Sequence, residues 1–331
     1  MPPWSLLLEE LSEEFYMSLL QNGPYVYATG CVSRPDLTPR TALAAEDFSD
    51  APVRFSDDGS YEIVHEFPVE EMKKPLERAI LKASGVARAR NSSRSTVFAA
   101  LLAHEFIKYI KDLPDFDRNR VALGLCNCSA SASLSWEFES EGITLGWDRT
   151  NTMLMPSCLP SSIGTQLSAA IDTHAATITF LDDILGVGAA FRYMYTSFFH
   201  DRSDYAFVIS AEEFSPVHDK GIQTFTGTRP LCCLMDGAAG VLLTRKKLTD
   251  SAWQLALCDH VSASGTITLP ETWKQAKSIN LMLDKDASLS TLLFPYALQH
   301  LIKTKDADKI LLTVGIKARG TFALGFQHVG N

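Results

Sequence analysis

The stretch TITFLDDILGVGAAFRYMYTSFFHDRSDYAFVISAEEFSP, residues 177–216, decides the fold class of this chain. Its pattern predicts a strand, a glycine-bearing turn, a largely apolar helix, a turn of basic and acidic residues, and a second strand. Many enzymes place a nucleophile at such a turn, where the chain meets the N-terminus of a helix. The residue at the tip here is Leu185, which has no nucleophilic group.

Strand and helix patterns alternate on both sides of this stretch. Strands are predicted at Tyr25–Val32 and within RVALGLCNCSAS, ATITFLDD and YAFVISAEE. Helices are predicted at Ser95–Leu113, within PSSIGTQLSAAI, from about Gly188 to Phe199, and within SLSTLLFPYALQHLIKT. EEMKKPLERAILKASG predicts a helix interrupted by Pro75. GAAGVLLTRK and AWQLALCDHVSA are predicted to form a strand pair, and KILLTVGIKARGTFALGFQHV a hairpin. This order favours the α/β class, as a layered α/β/α sandwich.

The composition and the net charge of the chain argue against several classes of function. The chain has 331 residues, 46% of them hydrophobic, which is enough for a large core in two lobes or two domains. Its net charge is −9, which disfavours binding to nucleic acid or to an anionic membrane. No run of apolar residues is long enough for a transmembrane helix. The seven cysteines lack zinc-like spacing, so we expect a protein of the reducing cytoplasm that uses them as small core residues.

The N-terminal segment, residues 1–24, predicts an amphipathic helix. Its apolar residues recur at helical spacing, and Asn22-Gly23-Pro24 ends the pattern. Four glutamates and the lack of a basic leader argue against an export signal. Such a helix either packs on its own domain or covers a partner subunit.

Five segments, taken in order, resemble the β-ketoacyl synthases, which have the thiolase-like fold. They are YVYATGCVSRPDL, LPSSIGTQLSAAIDTHAATITFLDD, ILGVGAAFRYMYTSFFHDRSDYAFVISAEEFSP, TRPLCCLMDGAAGVLLTRK and DKILLTVGIKARGTFALGFQ. The resemblance covers most of the chain from Tyr25 onward. It implies a thiolase-like layered sandwich of two related halves with mixed sheets, the N-terminal half spanning 25–246 and a shortened C-terminal half spanning 247–331.

The resemblance also implies where a nucleophile would lie. In that family a cysteine occupies the turn, about three residues before a helix glycine and about 28 before the acidic residue that ends the next strand. Counting back from Glu213 gives Leu185, with Gly188 at the glycine position. A helix N-terminus lowers a thiol pKa and supplies an oxyanion donor, and leucine can use neither effect. A shift of a few residues gives Ile184, Gly186 or Val187, none of them nucleophilic.

The family's remaining catalytic residues are two histidines, or a histidine and an asparagine, from loops of the second half. The second half here offers three histidines, none in a clear family pattern: His260, His300 and His328. His174 is typical of a capping or interface histidine. The second half is short, about 85 residues after Lys246, which indicates trimmed catalytic loops. We therefore expect no catalytic residue in this chain and no activity of the chain alone.

Family members that lost the nucleophile suggest a function. Chain-length factors of type II polyketide synthases, including aryl polyene systems, are of this kind, as are inactive subunits that pair with synthase III-type enzymes. The resemblance to both implies a heterodimer or higher assembly with an active ketosynthase, a shared acyl tunnel, and indirect contact with an acyl carrier protein. It implies no cofactor and no metal.

The strand before the turn is the predicted pairing surface. In this fold it lies at the two-fold axis, and an exposed edge carrying ATITFL would invite aggregation if left open. The candidates for the tunnel or interface are Ile178, Phe180, Leu185, Gly188, Phe191, Tyr195 and Phe198. The aromatic residues among them either fill the core or set the length of the tunnel.

Two alternatives stay open at this point. One is an enzyme of the same fold that uses another thiol, Cys126, Cys158 or Cys258. The other is a homodimeric scaffold without acyl chemistry. The pair Asp182-Asp183 does not predict a metal site, because adjacent residues of a strand or turn point in different directions. GVGAA lacks the spacing of a dinucleotide fingerprint.

Overall fold

The computed structural model describes residues 23–33, 37, 39–43, 53–56, 60–63, 74–128, 131–159, 161–215, 217, 220–221, 224, 236–250, 252–262, 265, 267–283, 291–303, 307–316 and 319–330. The predicted N-terminal helix lies outside these ranges. In the described part of the chain, no helix combines the length and the apolar character needed to cross a bilayer.

The elements of the first half come in this order: β1 (Tyr25–Ser33), β2 (Arg40–Leu43), β3 (Val53–Phe55), β4 (Tyr61–Ile63), α1 (Arg78–Ala83), α2 (Arg94–Ile110), β5 (Val121–Asn127), α3 (Ala132–Leu145), α4 (Met155–Cys158), α5 (Ser162–Ile171), β6 (Thr177–Leu181), α6 (Ile184–Phe199), β7 (Tyr205–Glu212) and β8 (Gly237–Thr244). The second half contains β9 (Ala252–Ser262), β10 (Lys277–Leu283), α7 (Leu293–Ile302), β11 (Lys309–Ile316) and β12 (Gly320–Val329). The predicted boundary at 246/247 falls between β8 and β9.

The main sheet has the order β10-β11-β12-β9-β1-β8-β7-β5-β6, with β2 added beside β1 and with β3 and β4 forming a separate ribbon. Every residue of β5, β7 and β8 is buried. Continuous apolar runs of this kind are typical of strands that are covered on both faces. The sheet is mixed, since β5 runs parallel to β6 and β7 while β8 is antiparallel to both of its neighbours.

The two halves repeat one topology. In the first half, β1 and β7 flank β8 in antiparallel fashion, and β7 continues to β5 in parallel. In the second half, β9 and β11 flank β12 in antiparallel fashion, and β11 continues to β10 in parallel. The halves meet where Tyr25 and Val26 pair with Gln254 and Trp253. No strand in the described ranges of the second half takes the place that β6 holds in the first.

Helices α6 and α7 form the central layer. Helix α6 packs on β5, β6 and β7 of the first half and on β11 and β12 of the second. The Phe191 ring lies 5.0 Å from the Phe294 ring of α7 and 6.0 Å from the Phe326 ring of β12, measured between centroids. Helices α2 and α5 cover the outer face of the first half. The outer face of the second half is closed by Trp273, which packs on Leu257 and Leu311. This layering confirms the predicted α/β class and the layered sandwich of two related halves.

Two local predictions, the pairing of β8 with β9 and the start of α6, were wrong. Strands β8 and β9 do not pair with each other, because β1 lies between them and bonds to both. Of the predicted helix interrupted by Pro75, residues 70–73 lie outside the described ranges; after the proline, α1 begins at Arg78, and Glu77 before it is extended with ψ 149°. Helix α6 begins at Ile184 rather than near Gly188. The hairpin of β11 and β12 is confirmed.

Replacing Gly188 by alanine tests the packing of the central layer. A Cβ atom at Gly188 would lie 2.3 Å from Phe322 Cγ and 2.7 Å from Phe322 Cβ, so the whole ring would have to move. We expect Gly188→Ala to lower the free energy of unfolding by about 1–3 kcal/mol, the usual cost of overpacking. Urea denaturation followed by circular dichroism measures it.

Gly221→Ala is the matched control, because a Cβ atom there meets no atom of the described residues within 4 Å. Its effect should stay within about 0.5 kcal/mol, as for most surface substitutions. Equal stability of the two variants would show that α6 does not pack against β12 as described.

Candidate functional site

The turn before α6 lies at the carboxyl edge of the parallel strands. Strands β5, β6 and β7 run in one direction, so their carboxyl ends meet at the same edge of the sheet. In α/β folds this is the edge where ligands bind. Strand β6 ends at Leu181 and α6 begins at Ile184, so Asp182 and Asp183 form the whole connection.

Two aliphatic side chains occupy the start of α6. Ile184 is fully buried and Leu185 is 7% exposed, and both belong to the core between the two halves. Strand β7 ends at Glu212, one residue before the Glu213 used for counting, so the same count from the end of the strand gives Ile184. At either position, the side chain at the helix N-terminus is a hydrocarbon. The N–H groups and the helix dipole at this end can stabilise a negative charge, but neither side chain carries a thiol or hydroxyl group that could become charged.

The cysteines considered as alternative nucleophiles are held as neutral thiols. Cys126 lies at the end of β5 and its Sγ donates to the Gly186 carbonyl at 3.6 Å. Burial, followed by the Glu212 charge, raises the pKa of Cys126 far above its usual range. Burial raises the pKa of Cys258 to about 12 and also raises the pKa of Cys158. Because the thiolate is the nucleophile, these surroundings oppose acyl transfer at each of the three.

Arg319 holds the two carboxylates of the turn. Its Nη2 donates to Asp182 Oδ1 at 2.5 Å and its Nη1 to Asp183 Oδ2 at 3.2 Å. The Asp183 side chain is mostly buried, and its Oδ1 accepts no hydrogen bond from the described residues. Burial and then the neighbouring Asp182 charge raise the pKa of Asp183 to about 6, against the opposing effect of Arg319. The pair therefore serves as an anchor for Arg319, a role that the sequence did not reveal.

The histidines of the second half lie against different aromatic residues. His260 stacks on Phe322, with ring centroids 4.3 Å apart, and Phe322 in turn lies against Gly188. Burial, followed by the charge of Arg192, lowers the pKa of His260.

His300, His328 and His174 contact other residues. His300 packs on the Phe55 ring at 5.8 Å, and His328 on the Trp253 ring at 5.2 Å. His174 lines a groove of about 370 Å³ between α5 and β6 and lies 3.7 Å from Asp172 Oδ1. No two of these four histidines share a ring contact in the described part of the chain.

A buried carboxylate connects the two halves. Glu212 is fully buried at the end of β7 and accepts from the Cys128 amide at 3.1 Å. It also accepts from the Thr291 hydroxyl at 2.6 Å, just before α7. Thr291 is 79 residues away in sequence, and no local pattern points to this contact.

The predicted tunnel and interface residues divide into two groups. Ile178 and Phe180 lie half-buried on β6, beside the core. Phe191 and Phe198 are buried on α6, and Tyr195 is partly buried against the same core. The group on α6 also includes Leu185 and Gly188, and it extends from the start of the helix to its last turn. The predicted set therefore follows one strand and one helix.

Exposed apolar side chains extend from β6 over the neighbouring helices. Strand β6 is the last strand of the sheet, and in the described ranges it pairs with β5 alone. Helix α3 packs on α4, α4 on α5, and α5 on β6. These elements and the loops on either side of α4 expose Trp136, Ile143, Leu145, Trp147, Met153, Met155, Leu159 and Leu181. Such an apolar patch is typical of an interaction surface.

Comparison with solved structures identifies the fold. The structure of the ishigamide ketosynthase/chain length factor matches with a TM-score of 0.61 and 13% identity, over 93% of this chain and all of that one. A β-ketoacyl synthase from Burkholderia phymatum STM815 matches with a TM-score of 0.58 and 11% identity, again over 93% of this chain and all of that one.

A third structure, the AntDE:AntF complex of a type II polyketide synthase acyl-carrier protein with its ketosynthase bound to the hexaketide, matches with a TM-score of 0.59 and 13% identity, over 77% of this chain and 87% of that one. The chain has the thiolase-like fold. No protein-family profile and no curated protein matches it.

The titration of Asp183 tests the electrostatics of the turn. We expect its carboxyl to titrate at about 6 in the folded chain, against 3.8 for an unperturbed group. Arg319→Gln removes the opposing cation and should raise this pKa further, whereas Asp182→Asn removes the like charge and should lower it. Carboxyl ¹³C NMR measures all three.

The raised pKa of Asp183 also determines how its contribution to stability changes with pH. The folded state binds this proton more tightly than the unfolded state, so the contribution of Asp183 to stability grows as the pH falls from about 6 toward 4. A carboxyl that titrates at or below 3.8 in the folded protein would contradict this description of the turn.

Proposed function

We propose that this chain is a non-catalytic ketosynthase-like subunit that pairs with an active β-ketoacyl synthase and forms part of the shared acyl tunnel, as a chain-length factor does. The observation that carries the proposal is the pair of buried aliphatic residues, Ile184 and Leu185, at the N-terminus of the central helix. In an active ketosynthase this position holds the acylated cysteine. The partner would supply that cysteine.

The surroundings of the turn support the absence of activity. The three thiols that could substitute have raised pKa values caused first by burial. The second half has no described counterpart of β6, and its histidines contact separate aromatic residues. A set of groups that could decarboxylate a malonyl unit is therefore not assembled among the described residues.

Among the described strands, β6 pairs on one edge only, and this supports the proposed pairing. An unpaired edge strand exposes a row of backbone donors and acceptors, and a second strand added there satisfies them. The apolar side chains of α3, α4 and β6 would be buried by the same contact. The ishigamide structure combines a ketosynthase with a chain length factor, and the AntDE:AntF structure combines a ketosynthase with an acyl-carrier protein. We propose a ketosynthase as the direct partner of this chain and an acyl carrier protein as an indirect one.

Acyl loading tests the proposed role. The chain and its candidate ketosynthase are incubated, alone and together, with an acyl-carrier or acyl-CoA thioester, and intact mass is measured. We expect no adduct on this chain, because burial raises the pKa of Cys126, Cys158 and Cys258, and we expect loading on the ketosynthase that depends on this chain. An adduct on this chain would favour the alternative enzyme, and no loading in any mixture would favour the scaffold.

A charge on the edge of β6 tests the pairing surface. Leu181 is 42% exposed, so Leu181→Lys is tolerated by the isolated chain but buries an unpaired ammonium in the assembly. We expect at least about tenfold weaker binding to the ketosynthase, a loss typical of an interface residue worth more than 1.4 kcal/mol. Analytical ultracentrifugation or calorimetry gives the affinity.

Phe199→Lys serves as the matched control. Phe199 is 44% exposed and lies at the opposite end of α6 from the turn. This variant should bind the ketosynthase as the wild type does. Equal losses from both substitutions would argue that β6 is not the pairing surface.

A further inference from the structure

Residues 74–94 carry a positive charge that the rest of the chain does not share. This segment contains six basic residues and a single acidic one, Glu77. In the remaining 310 residues, 38 acidic side chains outnumber 24 basic ones. A segment of formal charge +5 therefore lies in a chain whose remainder has a formal charge of −14. Such a concentration of one sign attracts a partner surface of the opposite sign.

Four of these cations lie on two short elements that pack together. Helix α1 carries Arg78 and Lys82 one turn apart, so the two side chains share one face of the helix, and both are exposed. Arg88 and Arg90 are exposed at a 3₁₀ helix, Ala89–Asn91, whose Cα atoms come within 8 Å of those of α1. We call Arg78, Lys82, Arg88 and Arg90 the basic surface.

The cations of the basic surface are not neutralised within the described chain. None of the four forms an ion pair with a residue that the structure describes. By contrast, Arg118, Arg120 and Arg245 of the same half each pair with an aspartate. The basic surface therefore keeps its attraction for carboxylates on another molecule.

Arg88 has a backbone conformation that glycine would adopt at lower cost. Its φ is 58° and its ψ is 38°, in the left-handed region that a Cβ atom disfavours. Its carbonyl accepts from the Asn91 amide at 2.7 Å, so this conformation closes the 3₁₀ turn. The turn uses only the backbone of Arg88, and the side chain is exposed. An arginine at such a position points to a use of its charge at the surface.

A cavity of about 460 Å³ adjoins the basic surface, and Arg90 is part of its lining. The apolar side chains of the lining are Pro75, Leu76, Leu81, Ala89 and Leu134. An apolar side chain of a partner fits such a cavity while acidic neighbours meet the arginines. Glu137 of α3 also lines the cavity and is exposed, so the acidic part of a partner would lie toward α1 and away from α3.

The composition of the segment favours a protein partner over nucleic acid or a lipid surface. Residues 74–94 contain no aromatic residue. Single-stranded nucleic acid is bound by stacking its bases on aromatic side chains, and interfacial helices insert tryptophan, phenylalanine or leucine into lipid. The acidic remainder of the chain also repels a polyanion. An acidic peptide has a lower charge density and can supply an apolar side chain for the cavity.

We propose that the basic surface docks an acidic peptide segment of another protein, with one apolar side chain of that segment in the cavity beside Leu76 and Leu81. The carboxylates of the segment contact the four cations. The docking uses no residue of β6 or α6, and it stands whether or not the chain pairs with a ketosynthase.

Fluorescence anisotropy on the full chain tests the docking. The probe is the labelled peptide Glu-Glu-Glu-Leu-Glu-Glu-Glu. We expect saturable binding that weakens at least about tenfold as the ionic strength rises from about 0.05 M to about 0.5 M, because salt screens exposed charges. Replacing every glutamate of the peptide by glutamine should abolish binding. Replacing its leucine by serine should weaken binding at least about fivefold, since the cavity then buries less apolar surface.

Charge reversal assigns the binding to the basic surface. The double substitution Arg88→Glu and Arg90→Glu should weaken peptide binding at least about tenfold, because two attractions become repulsions. Lys111→Glu is the matched control. Lys111 is exposed at the far end of α2, about 25 Å along the helix from Arg94, so this reversal should leave the affinity within about twofold.

Arg88→Gly separates docking from folding. Glycine suits the left-handed backbone at this position, so the melting temperature of the variant should not fall. Its affinity for the acidic peptide should nevertheless fall about threefold, since one cation is lost. A purely structural role of Arg88 would give a lower melting temperature and an unchanged affinity.

Three results would overturn the proposal. The first is the absence of saturable binding of the glutamate peptide at low ionic strength. The second is unchanged affinity of the folded variant that carries both Arg88→Glu and Arg90→Glu. The third is polyuridylate binding as tight as that of the peptide, as expected of a surface that attracts any polyanion.

Discussion

The contact of α6 with both halves of the sheet is the constraint on which the rest of the structure depends. The helix lies between β5 and β7 on one side and β11 and β12 on the other. At Gly188 it approaches Phe322 so closely that a single methyl group would collide with the ring. Because the helix is fixed from both sides, its first turn is fixed as well. The turn of residues 182–185 therefore takes up its position whether or not it carries a nucleophile.

This constraint explains how the fold can persist with aliphatic residues at the start of α6. The core needs apolar volume at the start of α6, and Ile184 and Leu185 provide it. Arg319 holds Asp182 and Asp183 from the second half, and Glu212 joins the first half to Thr291. These long-range polar contacts keep the two halves together around the turn. The first two residues of α6 carry no thiol or hydroxyl group, and among the described strands β6 pairs on one edge only.

Much of the fold could be predicted from the sequence, because its buried strands and helices carry strong local patterns. The apolar runs of β5, β7 and β8, and the glycine-bearing stretch before α6, fix the class. The order of strands was harder: β1 lies between β8 and β9, and no local signal shows that β8 uses both of its edges. The candidate site divides in the same way. The aliphatic turn is visible in the sequence, whereas the contacts of Arg319 with Asp182 and of Thr291 with Glu212 join distant segments and appear only in three dimensions.

Hydrogen exchange of the β6 amides, residues 177–181, tests the central claim most directly. The chain is compared alone and mixed with the candidate ketosynthase. The proposed pairing predicts that edge-facing amides of β6, which exchange quickly in the isolated chain, become protected in the mixture because a partner strand accepts their hydrogen bonds. Association of the two proteins with unchanged exchange at β6 would contradict the account, and so would the absence of association.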